Sequence, residues 1–87
     1  MESQSRVEVL TEILLTAKEG ATKRNIMSES GIGPSQAEAC LRFLQGSGLL
    51  LKEEAAYKPT SKGANLIADY EQLNRAILGQ PVLHLTH

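Results

Sequence analysis

Gly20-Ala-Thr-Lys-Arg-Asn-Ile-Met-Ser-Glu-Ser-Gly31-Ile32, then Gly33-Pro-Ser-Gln-Ala-Glu-Ala-Cys-Leu-Arg-Phe-Leu-Gln-Gly-Ser-Gly48, then Leu49-Leu-Leu-Lys-Glu-Glu-Ala-Ala-Tyr-Lys-Pro-Thr-Ser-Lys-Gly63 decide the fold. Thr22 is a good N-cap for a short helix over residues 23–30, with Ile26 and Met27 toward the core, and Gly31 stops it. Gly33-Pro34 opens a second helix, since Pro is favoured at the first helical position. Ala37, Cys40, Leu41 and Leu44 form its buried stripe, and Gly46-Ser-Gly48 ends it. Residues 49–52 and 56–58 read as two strands around a tip at Glu53-Glu54-Ala55. Pro59 closes the second strand because it cannot donate to a ladder.

The flanks are helical. Val7, Leu10, Leu14 and Ala17 recur at helical spacing over residues 6–18, with Val9 and Ile13 beside them. An apolar arc this wide predicts burial on two sides, one inside the domain and one against a partner. Gly20 ends this helix. Thr60 caps a last helix over residues 61–78, where Leu66, Tyr70, Leu73 and Ile77 are spaced four, three, four. That is a coiled-coil seam, and Asn74 beside it can help fix register. A break at Gly79-Gln-Pro81 leaves 79–87 as an expected flexible tail.

The element order, α-α-α-β-β-α, is that of a mainly α, α+β winged helix-turn-helix. Its expected organisation is a winged-helix DNA-binding domain over residues 1–63 and a dimerisation helix over 60–78 packed on the same domain. In such a fold the second helix of the helix-turn-helix enters a DNA groove.

Charge and composition bound the partners. The 87 residues carry nine Lys and Arg against ten Asp and Glu, a net charge of −1. Strong phosphate binders usually show a basic excess. Residues 1–20 hold two basic and four acidic residues, whereas 21–63 hold six and four, so the helix-turn-helix and hairpin carry +2. Aromatic residues make up 3%, so aliphatic side chains must fill the core. One cysteine, Cys40, excludes an intrachain disulfide and fits a reducing, cytoplasmic setting. No apolar run approaches the ~20 residues of a membrane span, so no membrane partner is expected. His84 and His87 lack acidic or cysteine partners for a metal. No phosphate loop, nucleophile elbow or ligand cluster points to an enzyme, a metal or a cofactor.

The expected DNA-facing residues follow from placement. Ser35, Gln36, Ala39 and Arg42 project from the exposed side of the second helix-turn-helix helix; Gln and Arg can bridge adenine and guanine edges. Lys23, Arg24, Lys58 and Lys62, together with Lys52, form a discontinuous phosphate-contacting rim. The acidic Glu53-Glu54 tip is repelled by phosphate and is not expected in a minor groove.

Gly20-Ala-Thr-Lys-x-x-Ile-Met, Ile32-x-x-x-Gln36, Leu41-x-Phe-Leu-x-x-x-Gly48-Leu-Leu and Tyr57-x-x-Thr-x-Lys-Gly63 together resemble the small archaeal winged-helix proteins. Some of these are DNA-binding, chromatin-associated or transcription-regulator-like. The resemblance covers residues 6–78. It implies a homodimer formed by the C-terminal helices as an antiparallel coiled coil, and a DNA-binding, transcription-regulating role on double-stranded DNA. The rival is a protein–protein interaction module of the transcription or chromatin machinery.

Overall fold

Ser5 and Glu8 start the first helix by capping each other. In the computed structural model, which describes residues 5–79, the Ser5 hydroxyl accepts from the Glu8 amide at 3.1 Å and the Ser5 amide donates to the Glu8 carboxylate at 2.9 Å. This reciprocal pair satisfies two amides that the first turn leaves without partners. The helix, α1, spans Arg6–Thr16 and stops short of the expected end at residue 18. There the chain tightens: the Lys18 amide donates to the Leu15 carbonyl at 3.2 Å and the Gly20 amide to the Ala17 carbonyl at 2.9 Å. Gly20 takes a φ of 97°, open to glycine at little steric cost.

A short strand follows that the sequence pattern did not reveal. Strand β1, Ala21–Thr22, pairs antiparallel with β3, Ala56–Pro59, which also pairs with β2, Leu50–Glu53. The sheet therefore has three strands in the order β1-β3-β2, and the chain runs α1-β1-α2-α3-β2-β3-α4. Two residues are too few for a period of two to show, and the pairing that defines β1 lies 36 residues downstream, where Ala21 faces Tyr57. The hairpin tip is Glu54-Ala55, with Glu53 already in β2.

Helices α2, Lys23–Ser30, and α3, Pro34–Gly46, form the helix-turn-helix. The Thr22 hydroxyl accepts from the Asn25 amide at 3.1 Å, and Gly31 closes α2 in the left-handed region at a φ of 66°. The core gathers Val9, Ile13, Leu14 and Ala17 of α1 with Ile26, Leu41, Leu44, Leu50, Tyr57 and Ile67. Met27 is only half-buried. Cys40 is a packed thiol on the buried stripe of α3.

Val7, expected on the buried stripe of α1, is 70% exposed. It stands two turns before Leu14 on the same line of the helix, beyond the end of the core. There it lines an apolar groove of about 390 Å³ with Leu14, Leu15, Leu66, Tyr70 and Leu73. The apolar arc of α1 faces the core on one side and, on the other, this groove beside the chain's own last helix.

Thr60 ties the last helix to the rest. Its hydroxyl accepts from the Gly63 amide at 3.0 Å and donates to the Gly48 carbonyl at 2.6 Å, and its amide donates to the Leu49 carbonyl at 3.1 Å. One residue therefore caps α4 and fixes the turn after α3. Thr60→Val should lower stability by about 1–2 kcal/mol, read as a shifted urea midpoint with an unchanged slope, while Thr60→Ser should restore most of it. Helix α4 spans Ser61–Gly79, so Gly79 belongs to the helix; the rest of the expected tail, with His84 and His87, lies outside the described residues.

Candidate nucleic-acid interface

The side chains of α3 divide by angle. Ala37, Cys40, Leu41 and Leu44 are buried, and Ser35, Ala39 and Arg42 form the outward stripe opposite them, at the i, i+4, i+7 spacing of one helix face. The Arg42 side chain is 76% exposed. Gln36 is exposed but lies on one flank, where it borders a shallow cleft with Arg6, Val9, Ala39 and Cys40. Arg6 continues along that flank, with its guanidinium 5.1 Å from the centre of the Phe43 ring. Arg6 is a cation beside α3 that spacing within the helix-turn-helix could not supply, because only tertiary packing brings α1 there.

Glu38 holds the other flank. One carboxylate oxygen lies 2.9 Å from Lys23 Nζ and the other 3.2 Å from Arg42 Nη2. The Lys23 ammonium, and after it the Arg42 guanidinium, hold the Glu38 carboxyl below its ordinary range, so it is ionised at neutral pH. Two expected DNA-facing cations are therefore joined through one acid between α2 and α3. Arg24 is exposed at the start of α2 and has no ion pair among the described residues.

The remaining cations sit around the hairpin. Lys58 Nζ is 3.0 Å from the Glu53 carboxylate. Lys52 lies over the Tyr57 ring at 5.5 Å, its cross-strand neighbour. Lys62 donates to the Ser47 carbonyl at 3.2 Å, which places it at the junction of α3, β2 and α4. The expected site residues thus fall into two groups, Lys23, Arg24, Ser35, Ala39 and Arg42 on the helix-turn-helix and Lys58 and Lys62 beside the hairpin, with Gln36 on the far flank.

Among the described residues of α4, only Gly63 and Ile67 are buried. Leu66, Tyr70, Leu73 and Ile77 are 47, 41, 59 and 52% exposed, and Lys18, in the turn after α1, pairs with Glu71 of α4 at 2.8 Å. The four seam residues therefore do not serve the domain's own core. No described helix is long and apolar enough to cross a membrane.

The helix-turn-helix, the β-hairpin after it and the strand before it are those of a winged-helix protein. A winged helix-turn-helix family model matches residues 4–77, and the chain belongs to that family. Among solved structures it is similar to Sso10a-2, described as a DNA-binding protein from Sulfolobus solfataricus, with a TM-score of 0.65 and 19% identity over 87% of each chain. No curated protein matches the chain.

Proposed function

We propose that the protein binds double-stranded DNA as a homodimer and acts in the cytoplasm as a transcriptional regulator. The observation that carries this is the outward stripe Ser35, Ala39 and Arg42 on the second helix of a helix-turn-helix, with Lys23 and Arg24 at its shoulder. The DNA-binding description of the structurally similar Sso10a-2 supports it. In this reading α3 lies in the major groove, where Arg42, Gln36 and Ser35 meet base edges, while Lys23, Arg24, Lys58 and Lys62 touch phosphates. The α4 seams of two copies pack together, so that two α3 helices address two half-sites. The role is one of binding, and no described residue is assigned a catalytic part.

A second reading, a protein-binding module of the transcription or chromatin machinery, is favoured by one observation. Lys23, Arg42 and Lys58 are each paired with a carboxylate, which lowers the positive field that would draw a duplex.

A pair of substitutions tests the DNA reading. Arg42→Ala should cost about 1–3 kcal/mol on a preferred site and much less on random duplex, because it removes a base contact. Lys62→Ala should weaken both about equally and flatten the salt dependence by about one unit. Parallel losses on every sequence would mean that α3 does not read bases. Negligible losses from both would favour the protein-binding module.

A further inference from the structure

We propose that Glu38 is a specificity-determining residue of α3: its carboxylate withholds Lys23 and Arg42 from phosphate on arbitrary DNA and releases them where a cytosine amino group in the major groove takes its place as donor. This rests on the DNA reading above. Three observations lead to it. The two Glu38 oxygens serve different cations, at 2.9 and 3.2 Å, so both pairs exist at once. The side chains of Lys23, Glu38 and Arg42 are 37, 50 and 76% exposed, so these pairs do little for folding. Finally, Glu38 borders the outward stripe of α3, where an entering helix would bring it to the duplex.

The chemistry follows from the donor pattern of the groove. Most major-groove atoms facing a carboxylate are acceptors, as are all phosphate oxygens, and none of these can replace the two cations. Two base groups there do donate, the cytosine N4 and adenine N6 amino groups; the adenine donor lies beside its own N7 acceptor, which repels a carboxylate, so cytosine is the better partner. On a duplex without cytosine in that position, freeing Lys23 and Arg42 leaves an ionised carboxylate against a phosphate-lined groove, which is repulsive. With cytosine present, the N4 amino group gives the carboxylate one donor in exchange for the two cations, and the two cations regain anionic partners as phosphates of the duplex.

The test compares the wild-type dimer, Glu38→Gln and Glu29→Gln. Glu29→Gln makes the same charge change on α2, at an exposed position outside the Glu38 cluster. On mixed-sequence duplex at roughly 50 mM salt, Glu38→Gln should bind about tenfold tighter, and its salt dependence should steepen by up to about two units per protomer at roughly −0.9 per freed cation. Glu29→Gln should change affinity less than about twofold. Selection from a random duplex pool should enrich a C·G pair at one position per half-site with the wild type and lose that enrichment with Glu38→Gln. Wild-type binding with an unchanged Glu38→Gln, or an equal gain from Glu29→Gln, overturns this inference and leaves the DNA reading standing. No binding by either the wild type or Glu38→Gln overturns both.

Discussion

Gly63→Ala is expected to destabilise the fold by about 3 kcal/mol or more, at the upper end of overpacking costs. Gly63 is the third residue of α4 and is buried. A Cβ there would land on the Leu49 carbonyl oxygen, with the Leu49 carbonyl carbon at 3.0 Å and Pro59 Cβ at 3.3 Å. The obstacle is backbone, and that same carbonyl accepts the Thr60 amide, so it cannot move aside without breaking the junction of α3, β2 and α4. For a domain of this size the loss corresponds to a melting temperature lower by roughly 12–24 °C. Gly46→Ala is the control: nothing lies within 4 Å of its added Cβ, and its φ is not positive. It should be neutral or stabilising by up to about 1 kcal/mol. Thermal melts of the two variants check this, and a Gly63→Ala protein melting within a few degrees of wild type would contradict the packing described.

Leu73→Glu is expected to convert the proposed dimer to monomer without unfolding the domain. Leu73 is 59% exposed and lies beyond Gly63 and Ile67, where α4 docks on its own domain. A seam of Leu66, Tyr70, Leu73 and Ile77 gains roughly 1.5–3 kcal/mol for each side chain it fully buries, and a carboxylate from each copy, desolvated in that apolar seam, would reverse the gain. Light scattering at tens of micromolar should give about twice the 9.4 kDa chain mass for wild type and the single-chain mass for the variant. The helical circular dichroism should be retained. A wild-type protein of single-chain mass would remove the dimer from the proposal. In the proposed dimer α3 addresses two half-sites, so the variant should also bind duplex far more weakly.

Local signals carried most of the fold into the sequence. Thr22, Gly31, Gly33-Pro34 and Thr60 act within a turn of where they stand, and they fixed α2, α3 and the start of α4. The capping pair Ser5 and Glu8 is a local signal that the reading of the first helix left unused, although Ser-x-x-Glu before an apolar run is its pattern. Strand β1 was not, because its pairing is wholly non-local. Val7 was misplaced because periodicity gives a side chain's direction but not where the core ends along the helix. Of the candidate site, the helical spacing gave the outward stripe of α3. The Glu38 bridge, the approach of Arg6 and the Lys62–Ser47 bond depend on how separate elements meet, which spacing within one element cannot encode. The exposed seam of α4 was legible as a heptad; its partner remains a proposal.

The most direct measurement is a titration of wild-type protein onto mixed-sequence duplex, with the complex mass followed at several salt concentrations starting near about 50 mM. The expected complex contains two chains per duplex site. Its affinity should fall with salt at a slope on the order of −3 to −5, given a handful of phosphate contacts at roughly −0.9 each. A folded dimer that binds no duplex at the lowest salt, whether mixed-sequence or from a random pool, would contradict it.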